Sequence, residues 1–115
     1  MTPPTRESVS GWPRAVALLA RMALETRLDA YWDASRLSSV KFLDMRAQLN
    51  CARVYLDPTV AGELSFAWYG LSRATHHRAY ELDPTAEELR SLIVIVERAN
   101  AAIAERVKAK LPLAG

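Results

Sequence analysis

Apolar residues recur along this chain at the three- and four-residue spacing of an amphipathic α-helix, and no useful stretch alternates with period two. The pattern predicts four helices, at about 13–32, 40–56, 58–80 and 85–110, with a polar loop at 33–39. Helices of this length joined by short connections are typical of bundles. We therefore expect an all-α protein, folded as an antiparallel four-helix bundle.

Capping residues mark the predicted helix starts. The residues Leu-Asp-Pro-Thr occur twice, at 56–59 and 82–85. An Asp at the N-cap accepts a free backbone N–H, and a Pro at the first helical position has no N–H to lose, so both copies predict a helix start. Thr85 with Glu88 offers an alternative capping box for the last helix. Serines are the N-cap candidates of the two earlier helices: Ser10, and Ser38 or Ser39.

Each predicted helix carries an apolar row that we expect to face the core. The first helix has two such rows: Val16, Leu19 and Ala23, and Leu24, Leu28 and Tyr31. The second helix also has two: Phe42, Met45, Leu49, Ala52 and Leu56, and the parallel row Val40, Leu43, Ala47, Cys51 and Val54. The row of the third helix is Val60, Leu64, Ala67, Trp68, Leu71 and Ala74, and that of the fourth is Leu89, Leu92, Val96, Ala99, Ile103 and Val107.

Some apolar positions lie outside these rows. Residues 92–96 are apolar all round, and Phe66 and Tyr69 lie off the inward row of the third helix. A compact bundle could cover them, or a second copy could. Two-fold dimers are the commonest oligomers, so we expect a homodimer. Gly62 and Gly70 inside the third helix predict close helix packing or a bend.

Length and composition fit one small soluble domain. The chain has 115 residues and a net charge of +2, too small to indicate a nucleic-acid binder by itself. We expect a flexible arm at 1–12 and a single domain at 13–111. Cys51 is alone, so we expect it to be an inert, buried residue in a reducing setting. With no apolar run long enough for a membrane span and no signal region, a cytoplasmic location is expected.

Both histidines of the chain lie on one predicted helix face with an arginine and a tyrosine. At about 100° per residue, Arg73, His76, His77 and Tyr80 fall on one side of the third helix, and Tyr69 extends that side by one turn. Guanidinium, imidazole and phenol groups together suit the handling of a phosphate.

Metal-free cleavage of RNA needs few groups. A base removes the 2′-hydroxyl proton, an acid protonates the departing 5′-oxygen, and a cation stabilises the phosphorane. His76, His77 and Arg73 are the catalytic candidates, while Arg78 and Tyr69 are candidates for binding. Glu81 and Asp83 follow the histidines but lie past the expected end of the helix, so they do not complete a helical metal site, and neither a metal nor a cofactor is expected.

This segment resembles the motif of the HEPN superfamily, whose members are small four-helix domains, many of them dimeric metal-independent ribonucleases. The toxin branch has Arg, four residues, His, one residue, Tyr. Here Arg73 matches the Arg and Tyr80 the Tyr, whereas Arg78 occupies the His position and the two histidines precede it. Residues 21–25, Arg-Met-Ala-Leu-Glu, also resemble HEPN openings.

The resemblance implies a bacterial toxin or defence protein whose partners are RNA and a nucleotidyltransferase-type antitoxin that modifies Tyr80 with AMP. HEPN domains without an intact motif often serve as non-catalytic modules. Three functions therefore stay open: an endoribonuclease, a non-enzymatic module that binds nucleic acid, a nucleotide or a protein, and an assembly bundle with no nucleic-acid role.

Each candidate residue also has a purely structural explanation. Histidines near a helix C-terminus interact favourably with the helix dipole, and Tyr80 can pack on a neighbouring helix. Arg73 can pair with a carboxylate such as Glu25 or Glu63. The tryptophans are expected in the core or at its edge rather than as a base-stacking platform: Trp12, Trp32 and Trp68.

Overall fold

A computed structural model describes residues 6–75 and 84–110 of the chain. Within these ranges the fold is all-α, with four α-helices, one short 3-10 segment and no strand, which confirms the prediction of an all-α protein. The elements are α1 (Arg6–Ala34), the 3-10 segment (Ser38–Phe42), α2 (Met45–Tyr55), α3 (Pro58–Thr75) and α4 (Ala86–Lys110). In this described part, no helix combines the length and apolar character needed to cross a membrane.

The three long helices, α1, α3 and α4, pack against one another, while α2 packs on α3 and the 3-10 segment packs on α1. Helix α3 runs antiparallel to α4, because Glu63 pairs with Arg98 near one end and Gly70 approaches Leu92 nearer the other. Helices α1, α3 and α4 therefore form a three-helix core, and the short α2 packs on α3 at one end of it.

Helices α1 and α3 are also antiparallel, whereas α1 and α4 run parallel. Trp68 in α3 contacts Glu25, and the start of α3 follows Tyr55, whose carbonyl accepts a hydrogen bond from Tyr31. Lys110 at the end of α4 lies over the ring of Tyr31, 5.7 Å from its centroid. The C-terminal ends of α1 and α4 therefore lie at the same end of the molecule.

The core lies where the three long helices meet, and its rows in α3 and α4 agree with the sequence. The buried apolar residues are Ala17, Leu24, Leu28, Tyr31, Trp32, Leu49, Ala52, Leu56, Ala61, Leu64, Ala67, Leu71, Leu89, Val96, Ala99 and Ile103. Of the all-round apolar stretch at 92–96, Val96 is buried, Val94 is exposed and the remaining residues are half-buried.

Only one of the two apolar rows predicted for α1 faces the core. Leu24, Leu28 and Tyr31 are buried, whereas Leu19 is 65% exposed and Ala23 is exposed as well. The second row was expected to meet another helix. Because α2 is short and packs on α3, it does not cover this side of α1.

Helix α2 begins at Met45, five residues later than the sequence predicts. Asp44 is its N-cap, and the Asp44 Oδ1 accepts a hydrogen bond from the Ala47 backbone N–H at 2.8 Å. Leu43 is extended just before it, so the residues upstream form the 3-10 segment instead of α2. The prediction that Ser38 or Ser39 is the N-cap of α2 is therefore wrong, because the carboxylate of Asp44 caps the helix.

The shortened helix changes which apolar residues are buried. Leu49, Ala52 and Leu56 lie in the core as predicted, but Phe42 and Val54 are exposed. Phe42 lies in the 3-10 segment and so leaves the helical row on which its burial was predicted.

The N-caps of α3 and α4 use side chains that the sequence proposed. Asp57 Oδ1 accepts from the Thr59 backbone N–H at 2.8 Å, at the first Leu-Asp-Pro-Thr copy. At the second copy, Thr85 Oγ1 accepts from the Glu88 backbone N–H at 3.0 Å. Pro84 precedes the helix. The alternative cap at Thr85 therefore starts α4, not the Asp-Pro pair.

Helix α1 begins at Arg6, within the segment predicted as an arm, and it contains Pro13. A proline inside a helix loses one backbone hydrogen bond, and the side chain of Pro13 is buried. At the other end, Arg36 adopts a left-handed conformation (φ 60°), and the Leu37 N–H donates back to the Trp32 carbonyl at 2.8 Å. These two features are a Schellman-type helix end.

The loop after α1 is held by Asp33. Lys41 Nζ lies 2.9 Å from Asp33 Oδ1, and the Ser38 hydroxyl donates to the same oxygen at 2.7 Å. The hydrogen bond from Lys41, followed by that from Ser38, lowers the pKa of Asp33 below its usual value. Its small stabilising contribution is therefore present at neutral pH and is lost as the pH falls through that lowered pKa.

The two glycines of α3 are not equivalent. A Cβ on Gly70 would lie 2.9 Å from Leu92 Cδ2, so this glycine permits the close α3–α4 contact that the sequence predicted. A Cβ on Gly62 would meet no atom within 4 Å. Gly62→Ala should therefore raise the free energy of unfolding by about 1 kcal/mol, the helix-propensity difference between the two residues.

Thermal denaturation followed by circular dichroism measures this effect, a rise in Tm of a few degrees at about 1 kcal/mol. Gly70→Ala is the matched control, because the same propensity gain is offset there by the contact with Leu92. Equal stabilisation by both substitutions would contradict the expectation.

Candidate functional site

The outer face of α3 carries two aromatic side chains and an arginine. Phe66, Tyr69 and Arg73 are spaced by three and four residues, so they lie on one side of the helix. Phe66 is 61% exposed, Tyr69 is 40% exposed and Arg73 is exposed. The sides of α3 that face its neighbours carry other residues, including Trp68 towards α1 and Gly70 towards α4. We call Phe66, Tyr69 and Arg73 the α3 outer face.

Contacts with the preceding residue hold Tyr69 in place. The rings of Trp68 and Tyr69 meet edge to face, with centroids 5.2 Å apart. The Trp68 Nε1–H donates to Glu25 Oε1 at 3.2 Å, and Glu25 also pairs with Arg21 at 3.5 Å. These contacts hold the half-buried Trp68 against α1, and the Tyr69 ring packs on the edge of Trp68.

Arg73 does not form either of the ion pairs that the sequence suggested. Glu25 contacts Trp68 and Arg21 instead, and Glu63 pairs with Arg98, whose Nη2 lies 2.8 Å from Glu63 Oε1. Within residues 6–75 and 84–110, no carboxylate pairs with Arg73. Its guanidinium is therefore open to solvent and to a ligand from the α3 side.

The remaining predicted site residues, His76, His77, Arg78 and Tyr80, lie outside the described residues. The structure thus places Tyr69 and Arg73 of the predicted set on one exposed face. It adds Phe66, which was not among the candidate site residues. The signal for Phe66 is its position off the inward row, three residues before Tyr69 and seven before Arg73.

The tryptophans and the cysteine are distributed between core and surface. Trp32 is fully buried and Trp68 is half-buried, as expected, but Trp12 is 46% exposed. The prediction for Trp12 is wrong because it lies on the side of α1 that no described helix covers. Cys51 is partly buried against the core. In the described ranges, no three His, Cys, Asp or Glu side chains cluster as metal ligands would.

Exposed aromatic rings beside a cation suit one type of ligand. Bases stack on aromatic side chains whatever their sequence, and Arg binds phosphate through its planar set of donors. The rise of 1.5 Å per residue places Phe66 and Arg73 about 10 Å apart along the helix axis. A stretch of one or two nucleotides spans that distance.

No family model matches this sequence, and comparison with curated proteins and with solved structures gives no match. The argument for function therefore rests on the residues and their arrangement.

Proposed function

We propose that this chain is a HEPN-like helical module that binds single-stranded nucleic acid through the α3 outer face. Arg73 carries the proposal, since it is exposed, it has no carboxylate partner among the described residues, and it lies beside two exposed aromatic rings. Between Thr59 and Arg73, the outward positions of α3 contain no acidic residue. Such a face attracts a polyanion and offers its bases a surface on which to stack.

The residues that follow Arg73 in the chain support a second function at the same site, metal-independent cleavage of RNA. His76 and His77 are the candidate base and acid, Arg78 is a second cation, and the spacing of Arg73 and Tyr80 resembles the HEPN toxin motif. A toxin-type protein of this kind would have a nucleotidyltransferase-type antitoxin as partner and Tyr80 as its site of modification. The HEPN-like character of this helical domain is part of this proposal.

Arg73→Ala should weaken binding of a labelled single-stranded RNA by about 10-fold, which is the loss of one charge-assisted phosphate contact. It should also reduce the slope of log affinity against log salt by about 1. Fluorescence anisotropy over a series of salt concentrations measures both quantities. Arg73→Lys should retain part of the affinity, because it keeps the charge without the planar donors.

Arg90→Ala is the matched control, since Arg90 is an exposed arginine on α4. Equal affinity of Arg73→Ala and Arg90→Ala for the RNA would overturn the proposed binding site. The same RNA incubated in EDTA tests cleavage: products with cyclic phosphate ends, lost in His76→Ala or His77→Ala, indicate the ribonuclease. Bound but intact RNA indicates the binding module.

A further inference from the structure

The side of α1 that faces away from the core is apolar for about four turns. Trp12, Leu18, Leu19 and Met22 are its large residues, and each is at least 37% exposed. Their spacing places them on one side of the helix, opposite the buried row of Leu24, Leu28 and Tyr31. The exposed Asp29 lies on the same side, two turns beyond Met22. We call this surface the α1 outer face; Ala23, Thr26 and Ala30 continue it towards the C-terminal end of the helix.

Large and small residues are separated along this face. The large apolar side chains lie in its first half, up to Met22, whereas its second half, from Ala23 to Ala30, has small residues and Asp29. Together with Arg27, and with Asn100 of α4, the small residues border a shallow depression between α1 and α4. One half of the face therefore projects, and the other half is recessed.

We propose that two copies of the chain pair through the α1 outer face, antiparallel, about a two-fold axis near Leu19 and Met22. In this register Trp12 lies opposite the partner's Ala30, and Leu19 lies opposite the partner's Ala23. The projecting half of each copy then fills the recessed half of the other, at both ends at once. Such self-complementarity is what a two-fold interface requires, and it identifies a second copy of this chain as the occupant.

One unpaired polar atom beside the recessed half agrees with this register. Among the described residues, the Asn100 Oδ1 is buried and has no hydrogen-bond partner. Asn100 borders the same depression as Thr26 and Ala30, which the partner's Trp12 covers in the proposed pair.

The size of the face sets the expected strength. From Trp12 to Ala30 the helix is about 27 Å long at 1.5 Å per residue. One helix face of this length buries less than the roughly 800 Å² per partner of a standard interface. We therefore expect a dimer that dissociates at micromolar concentrations.

This pairing differs from dimerisation through the histidine-containing face of α3. It leaves Phe66, Tyr69 and Arg73 outside the contact, so the α3 outer face of each copy stays open to a ligand. The two surfaces are consequently independent. Arg73→Ala should dimerise as the wild type does, and Leu19→Glu, which disrupts the α1 contact, should retain the RNA affinity of each chain.

Sedimentation velocity over a series of protein concentrations tests the proposal. The wild type should shift from monomer to dimer, and Leu19→Glu should raise the dissociation constant at least 20-fold, because it places a charge in the centre of the contact. Val94→Glu is the matched control, since Val94 is a comparably exposed apolar residue on α4. A wild type that stays monomeric up to several hundred micromolar would overturn the inference, as would equal weakening by the two substitutions.

Cross-linking tests the register. In a Cys51→Ala background, Met22→Cys lies next to the proposed two-fold axis and should form a disulfide-linked dimer under mild oxidation. Phe66→Cys in the same background is exposed on α3 and should stay unlinked. A link at position 66 without one at position 22, or equal linking at both, would show that the copies do not pair through α1.

Discussion

Trp32→Ala should lower the free energy of unfolding by about 3–5 kcal/mol, the usual cost of removing a fully buried tryptophan. Trp32 has no exposed surface and lies at the C-terminal end of α1. Its ring meets Tyr31 and Tyr55 edge to face, at centroid distances of 5.3 and 6.3 Å. Its Nε1–H donates to Gln48 Oε1 at 3.1 Å. The substitution thus leaves a cavity and an unpaired acceptor where α1 meets α2.

Urea unfolding followed by circular dichroism measures the loss without relying on tryptophan fluorescence. Trp12→Ala is the matched control: the same substitution at an exposed position of the same helix should cost less than about 1 kcal/mol. Trp32→Phe should fall between them, because it keeps part of the ring contacts but loses the hydrogen bond and the remaining volume of the indole. Similar losses for Trp32→Ala and Trp12→Ala would show that Trp32 does not anchor this end of the core.

Gln48→Glu should lower the free energy of unfolding by about 2–3 kcal/mol at pH 7, which is the cost of unpaired buried groups. Gln48 is the one buried polar residue in the described core. Its Nε2 donates to the Leu43 carbonyl at 2.8 Å and to the Lys41 carbonyl at 3.3 Å, while its Oε1 accepts from Trp32. A carboxylate of the same shape still accepts from Trp32, but it faces two carbonyl oxygens with no proton to donate.

The destabilisation caused by Gln48→Glu should depend on pH, and it should be larger at high pH than at low pH. Burial and the two carbonyl oxygens raise the pKa of the introduced carboxyl in the folded state above its unfolded value, so its destabilising effect is present at high pH. As the pH falls through the raised pKa, the carboxyl gains a proton that it can donate, and the difference from wild type should shrink. Gln48→Leu is the control, because it removes the same hydrogen bonds without a titratable group. Urea unfolding at pH 7 and pH 4.5 tests this, and a difference that stays constant for Gln48→Glu would contradict it.

Local features of the fold could be read from the sequence. The period of apolar residues located the long helices, since that period is a property of each segment alone. Asp57 and Thr85 were identified as caps because an N-cap bond joins residues two or three positions apart. The later start of α2 was missed although Asp44 was visible, because Val40 and Phe42 continue the apolar pattern upstream of it.

The candidate site could be predicted in part. Tyr69 and Arg73 share an exposed face, as helical spacing requires, and Phe66 was visible as an apolar residue off the inward row. Whether Arg73 pairs with Glu25 could not be decided from spacing, whereas Glu63 lies about 15 Å from Arg73 along the same helix. The acids belong to other helices or other sides of α3, and their partners, Trp68, Arg21 and Arg98, follow from how the helices dock.

The sequence by itself determined that the described chain is helical, where most of its helices start, and which residues share a helix face. The tertiary structure alone decided which of those faces is covered. On α1 the two apolar rows look alike in the sequence, yet one meets α3 and α4 while the row containing Leu19 faces outward. Periodicity is set within a helix, but burial depends on which helices lie beside it, and the short α2 packs elsewhere.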